Sequence, residues 1–213
     1  MTERLKEIYA NLPDCEVFAD IGCDHGYFTK AMLDGKKCKR AIVSDVSAKC
    51  LQKALDLLSD YVELGLVDSA VSDGFDKVGP CDCALIAGMG GEEIISILNR
   101  RKDLPENLVL QPMKNADKVR TVAVGLGYKI KTDYTFKCGK IFYDLIVLTK
   151  GQDCLTREEI EFGRTNLINR GVAFRESLEC KIKVLSSCVL DNKVSDKTKE
   201  EMEKEIKRLK NYV

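Results

Sequence analysis

Four aspartates stand where short apolar runs give way to turns. Asp20 and Asp24 lie in Val17-Phe-Ala-Asp-Ile-Gly-Cys-Asp-His-Gly26, Asp45 closes Ala41-Ile-Val-Ser-Asp45, and Asp73 precedes Gly74. Carboxylates in such places accept hydrogen bonds from hydroxyl or amino groups and attract cations. Asp45 stands about as far beyond Asp20 as the acid that an α/β nucleotide-binding fold sets against ribose hydroxyls. Asp73 is suited to accept from the amino group of an adenine. Taken singly, each is equally well explained as a helix cap or turn residue. Three at successive strand ends mark the edge where open α/β sheets bind ligands. Gly22 suits a turn that brings backbone close to a ligand, and Gly26 suits close packing of helix on strand. Ile21, Val46 and Gly74, beside these acids, join them as candidate contacts.

A dinucleotide-binding fingerprint places a second glycine two residues after Gly22, where this chain has Asp24. A carboxylate there repels a pyrophosphate at a helix N-terminus, but attracts a ligand carrying an ammonium and a sulfonium, as S-adenosylmethionine does. A second glycine turn, Gly88-Met-Gly-Gly91, follows Leu85-Ile-Ala87. Gly88, Gly90 and Gly91 permit backbone to approach a planar base or a transferring methyl, and Met89 offers an apolar surface. An ordinary strand-to-helix turn needs one glycine, not three. Gln111 closes Leu108-Val-Leu-Gln-Pro112 with Asn115 just beyond; either amide reads a base edge or caps the next helix.

The elements that must hold these residues follow from hydrophobic periodicity. Apolar runs predict strands over 17–20, 41–45, 69–72, 84–87, 108–111, 128–136 and 142–149, with helices over 28–33, 48–61, 92–100 and 116–126. Such alternation predicts a parallel sheet. No helix separates the last two strands, and Lys137-Cys-Gly-Lys140 joins them as a hairpin. The expected fold is therefore α/β and Rossmann-like: a seven-stranded sheet whose last strand runs antiparallel, as in S-adenosylmethionine-dependent methyltransferases of class I, over residues 1–152. Residues 153–213 read as helix alone. Thr156 and Glu159 form a capping box, and Asn169-Arg-Gly171 interrupts the helix they start. Leu178, Ile182, Leu185 and Val189 make one apolar stripe; Met202, Ile206, Leu209 and Val213 make another, with Thr198 and Glu201 as a further capping box. Two such stripes joined by the polar 191–196 turn predict an antiparallel coiled-coil hairpin.

Composition bounds the class. The 213 residues, 45% hydrophobic, suffice for one core and an appendage. No apolar run resembles a signal peptide or a membrane span, so a cytoplasmic protein with no membrane partner is expected. Ten scattered cysteines without a CxxC, and one histidine, predict reduced thiols and no metal site. Thirty-four basic residues balance 34 acidic ones, so any nucleic-acid surface must be local. Lys36, Lys37, Lys39 and Arg40, the run Arg100-Arg-Lys102, and Arg170, Arg175, Lys181 and Lys183 are candidates.

Asp20-Ile-Gly-Cys-Asp-His-Gly-Tyr27, Gly88-Met-Gly-Gly91 and Leu110-Gln-Pro112, taken together over the whole chain, resemble the bacterial TrmK-type tRNA (adenine-N1)-methyltransferases, which act on adenine 22 of tRNA. The resemblance implies S-adenosylmethionine as cofactor, with Asp20, Gly22, Asp45 and Asp73 among its contacts, tRNA as partner, and the target base near Gly88–Gly91. Tyr27, Gln111, Pro112 and Asn115 are the implied substrate side. Met113 stands where the resemblance leads one to expect Asn, and Asn115 is the candidate to replace it. Adenine N1 is a neutral nucleophile that becomes cationic, so alignment is the main need, worth up to roughly 7 to 11 kcal/mol. Asp24 is the candidate to stabilise the cation and His25 to orient the base, which must be everted because N1 lies on the pairing edge. A monomer is expected. Two other readings compete: a methyltransferase of another RNA, a small molecule or a protein, and a non-catalytic module that recruits a partner through the hairpin.

Overall fold

The computed structural model describes residues 2–191 and 194–213. Seven strands, β1 (Cys15–Ile21), β2 (Cys38–Asp45), β3 (Val67–Val71), β4 (Cys83–Met89), β5 (Asn107–Pro112), β6 (Tyr128–Cys138) and β7 (Ile141–Lys150), form one sheet. Its order is β3-β2-β1-β4-β5-β7-β6, with β7 antiparallel to both neighbours. The hairpin turns at Gly139-Lys140, as the sequence predicts, but β7 inserts between β5 and β6. That insertion returns β6 to the common direction and makes it an edge strand.

Alternate residues of the central strands feed two cores. Ala19, Ile21, Ala84, Ile86, Leu108 and Leu110 pack beneath α5 (Gly91–Arg100) and α6 (Ala116–Gly125). Phe18, Val43, Cys83, Leu85 and Val109 face α1 (Glu3–Asn11), α2 (Tyr27–Asp34) and α3 (Ala48–Leu57). Burial on both sides is why these strands read as continuous apolar runs. The expected 48–61 helix is divided: Leu58, fully buried, leaves helical geometry, and α4 (Ser59–Glu63) follows. Helix α1 was not among the expected elements; the Thr2 hydroxyl caps it and Ile8 anchors it. Gly26 departs from expectation as well, because a Cβ there would lie 3.0 Å from that of Ala54, so its close packing is against α3 and not a strand.

Beyond the sheet come α7 (Arg157–Phe162), α8 (Arg164–Asn169), α9 (Val172–Val189) and α10 (Asp196–Leu209). The Thr156–Glu159 capping box is present, and Arg170 in left-handed geometry ends α8 before α9. Gly163, at φ 86°, breaks what the sequence presents as one helix. A Cβ at Gly163 would lie 2.9 Å from Asp133 Oδ2, so the break admits a buried pair in which Arg120 Nε donates to Asp133 Oδ2 at 2.8 Å. Arg120 also donates to the carbonyls of Ile160 and Glu161 at the end of α7, while Asp133 accepts from the amides of Arg164 and Thr165 at the start of α8. Each charge thus meets the helix end of opposite sign. Side chains of Asp153, Thr165 and Asn166 accept from the edge amides of Ile130, Asp133 and Thr135, closing the β6 edge.

Helices α9 and α10 form an antiparallel hairpin in which Leu178 shares a core with Leu209 and Lys181 pairs with Glu205 at 3.0 Å. Ile182, Leu185 and Tyr212 flank that core, whereas Val213, expected in the second stripe, lies past the end of α10 and is exposed. Ser195, and not Thr198, caps α10: the Ser195 hydroxyl accepts the Thr198 amide. Of the expected 191–196 turn, residues 192 and 193 lie outside the described residues. No helix among the described residues is long and apolar enough to cross a membrane.

Candidate active site

The C-terminal ends of β1 to β4 surround a cavity of about 400 Å³. The predicted Asp20, Gly22, Asp24, His25, Tyr27, Asp45, Val46, Asp73, Gly74, Gly88 and Met89 all line it. Ile21 is instead part of the core under α5, and Gly90, Gly91, Gln111, Pro112 and Asn115 are not among the lining residues.

The turn after β1 is built from its own hydrogen bonds. The amides of Gly22 and Cys23 donate to the Ser44 carbonyl at 2.8 and 2.9 Å, and that of Asp24 donates to Asp45 Oδ2 at 3.1 Å. Asp45 Oδ1 accepts the Ser47 amide, so this carboxylate ties the two turns together while facing the cavity. Asp20, almost fully buried, accepts the Thr29 hydroxyl at 2.9 Å. Burial pushes its carboxyl up to about 7, against the lowering effect of the Thr29 hydroxyl and amide. From β1 the Asp20 carboxylate thereby meets the first turn of α2 at Thr29, near the place where dinucleotide folds receive a pyrophosphate. Asp24 takes the left-handed φ of 48° in the glycine slot. The backbone geometry of a glycine turn is kept, but its amides are already engaged and its side chain is anionic.

Gly22 and Met89 meet across the floor. A Cβ at Gly22, where φ is 72°, would lie 2.1 Å from Met89 Cε. Gly88 has φ 80° at the irregularity in the β4–β5 pairing, and a Cβ there would crowd Arg4 Nη2 at 3.0 Å. Gly91 answers to packing: a Cβ would stand 2.5 Å from the Lys114 carbonyl, so glycine lets α5 approach the turn before α6. Gly90 occupies the N-cap of α5.

His25 is engaged at both nitrogens. Lys53 Nζ lies 3.4 Å from Nε2 and, being a donor only, makes Nε2 the acceptor; Nδ1 then carries the proton and donates to Asp24 at 2.8 Å. The imidazole stacks on Tyr27, with centroids 5.9 Å apart and planes 16° apart. This fixes an aromatic shelf at the mouth, where Tyr27 is 53% exposed. Asp73 is held by Arg100 at 2.6 Å, and that hydrogen bond keeps its carboxyl below the usual range.

Gln111 is fully buried, and its Oε1 accepts from Arg4 Nε at 2.9 Å. Phe28 and Glu93 line the cavity without being among the expected site residues, and so does Arg4, which α1 carries to the cavity wall. Its one sequence signal is the short amphipathic run Leu5-Lys-Glu-Ile8 behind Thr2, too brief to mark a helix by periodicity alone. Asn115, at φ 57°, starts α6 and approaches Glu92 at 3.4 Å. Several basic candidates are engaged elsewhere. Lys37 donates to the Tyr9 and Leu12 carbonyls, Lys39 and Arg40 pair with Glu16 and Asp68, and Arg101 holds the carbonyls of Val78 and Gly79.

The donor set suits S-adenosylmethionine. Carboxylates at three successive strand ends present acceptors for ribose and amino groups and a field for cationic ones, and Gly22 and Gly74 leave room for the Met89 and Ile97 side chains that line the cavity.

A family described as Methyltransferase domain matches residues 1–146. A candidate tRNA methyltransferase of Mycoplasma pneumoniae is 30% identical over 161 residues, which are 72% of this chain and 74% of that relative. The tRNA (adenine(22)-N(1))-methyltransferase of Bacillus subtilis is 33% identical over 129 residues, 56% of this chain and about half (52%) of the relative. The structure of M. capricolum TrmK with S-adenosyl-homocysteine superposes with a TM-score of 0.88 at 24% identity, covering 100% of this chain and 97% of that one. The acidic cavity at the strand ends, the inserted antiparallel strand and these matches agree: the chain belongs to the methyltransferase-domain family.

Proposed function

We propose that this protein transfers a methyl group from S-adenosylmethionine to N1 of an adenine in tRNA, at position 22. The observation that carries the reading is the cavity at the ends of β1 to β4, where Asp20, Asp45 and Asp73 form an acidic ladder beside the Gly88-Met89 wall. When bound, S-adenosylmethionine supplies an electrophilic methyl group. Asp45 and Asp73 are placed to bind its nucleoside portion, and the carboxylate of Asp20 supports its positive charge. Gly22 and Met89 shape the floor, and the tRNA specificity rests on the relatives that bear that name.

The remaining residues serve the acceptor. Adenine N1 attacks through a lone pair, so no base has to remove a proton first. His25, with both nitrogens engaged, acts as a fixed face and not as a proton shuttle. The His25–Tyr27 stack offers the everted base a surface, and the Asp24 carboxylate beside it offsets the positive charge the base acquires. Gln111 holds Arg4 beneath this site, and Pro112 and Asn115 shape the turn behind it. We assign residues 1–152 to catalysis and 153–213 to RNA binding, the latter through the α9–α10 hairpin. The protein works in the cytoplasm, where its substrate is found. Incubating the protein with labelled S-adenosylmethionine and unmodified total tRNA, then analysing nucleosides, should yield labelled 1-methyladenosine. Label in another nucleoside, or none, overturns the reading.

A further inference from the structure

Five carboxylates line the active-site cavity: Asp20, Asp24, Asp45, Asp73 and Glu93. The groups that enter it are not all cationic. The cofactor has a carboxylate on its amino-acid moiety, and an everted nucleotide brings a phosphodiester. Among the described lining residues one arginine or lysine answers them, Arg4.

Arg4 is set up as a receptor. Its Nε and Nη2 both donate to Gln111 Oε1, a neutral acceptor that is fully buried and itself fixed by Nε2 donating to the Pro112 carbonyl at 3.1 Å. The guanidinium lies over the Tyr143 ring, 5.5 Å from its centroid. Gly88, in left-handed geometry, makes room for Nη2 where any Cβ would crowd it. No carboxylate pairs with Arg4 among the described residues, and Nη1 has no hydrogen-bond partner there. A guanidinium held by an amide and a ring at the wall of the cavity, with one amino group unpartnered among the described residues, suits the two-oxygen geometry of carboxylate or phosphate.

Resting on the methyltransferase reading, we propose that Arg4 is the oxyanion receptor of this site, taking the carboxylate of the cofactor's amino-acid moiety or the phosphodiester beside the everted adenine. The test measures affinities of wild type, Arg4→Ala and Arg4→Lys for S-adenosylhomocysteine, for methylthioadenosine, which lacks the carboxylate, and for unmodified tRNA across a salt series. If the carboxylate is the ligand, Arg4→Ala weakens S-adenosylhomocysteine by roughly tenfold or more and leaves methylthioadenosine unchanged. If it is the phosphodiester, S-adenosylhomocysteine is unchanged, tRNA weakens, and the logarithmic salt slope falls by about one. Arg4→Lys, which keeps the charge but not the fork, is expected to fall between. Unchanged affinity for both ligands overturns the proposal, as does parallel loss of S-adenosylhomocysteine and methylthioadenosine, the mark of a merely structural α1. These binding measurements need no turnover, so a wild-type protein that leaves tRNA unmethylated defeats the functional reading without deciding the role of Arg4.

Discussion

Asp20 shows what a residue type discloses and what its surroundings add. Its position at the end of an apolar run makes it a candidate ligand contact, but its burial and the hydrogen bond it accepts from Thr29 depend on α2 folding over it. The raised carboxyl has two consequences of definite sign. The folded chain holds a proton up to about pH 7 that an unfolded aspartate releases near 3.8, so stability declines as pH rises between those values and levels off above. A cationic ligand prefers the carboxylate, so affinity for S-adenosylmethionine should climb as pH rises toward 7, by at most about tenfold per unit, and flatten beyond it. Calorimetry at pH 5.5, 6.5, 7.5 and 8.5 checks this. Asp20→Asn is expected to bind more weakly at high pH and to lose the dependence; an unaltered profile would assign the proton to another group. Arg4 and Gln111 were harder to read for the same reason. Nothing in their local sequence states that residues 107 positions apart share a hydrogen bond.

At the scale of elements, strands were legible because burial on both faces leaves unbroken apolar runs, and helices α5 and α6 because one face alone is covered. What escaped was set by contacts distant in sequence. The placement of β7 beside β5 depends on pairing across the sheet, and Gly163 breaks a helix because Arg120 and Asp133 need the space. That buried pair fastens the first two helices after the sheet to the catalytic core. Removing one partner leaves an uncompensated charge, so Arg120→Met should destabilise the protein by about 3 to 5 kcal/mol. Replacing both, as Arg120→Met with Asp133→Leu, should still cost stability, because the amides of Arg164 and Thr165 lose their acceptor. Urea unfolding measures both; a loss under 1 kcal/mol for the single variant would mean the helix ends find other partners.

For the whole molecule, the change from α/β to purely helical sequence near residue 153 was plain from periodicity, but where an arm can be removed was not. Asp153 and helix α8 close the β6 edge and α7 and α8 engage the Arg120–Asp133 pair, so a cut after Lys150 exposes edge amides and strands that pair. A cut after Arg170 spares them and removes α9 and α10 alone. The truncated protein is expected to bind S-adenosylhomocysteine as the full chain does and to bind tRNA more weakly, with a shallower salt dependence as phosphate contacts are lost. Lys181 is tied to Glu205, which leaves Arg175 and Lys183 as the stronger candidates on α9. Full tRNA affinity after truncation would make the hairpin a site for another partner. The proposed methyl transfer concerns one atom of one nucleotide, and a methyl on N1 blocks base pairing. Primer extension on a tRNA transcript treated with protein and S-adenosylmethionine should therefore stop beside adenine 22, and a transcript carrying guanine at that position should accept no methyl group. A stop elsewhere, or equal methylation of the guanine transcript, would contradict transfer to N1 of adenine 22.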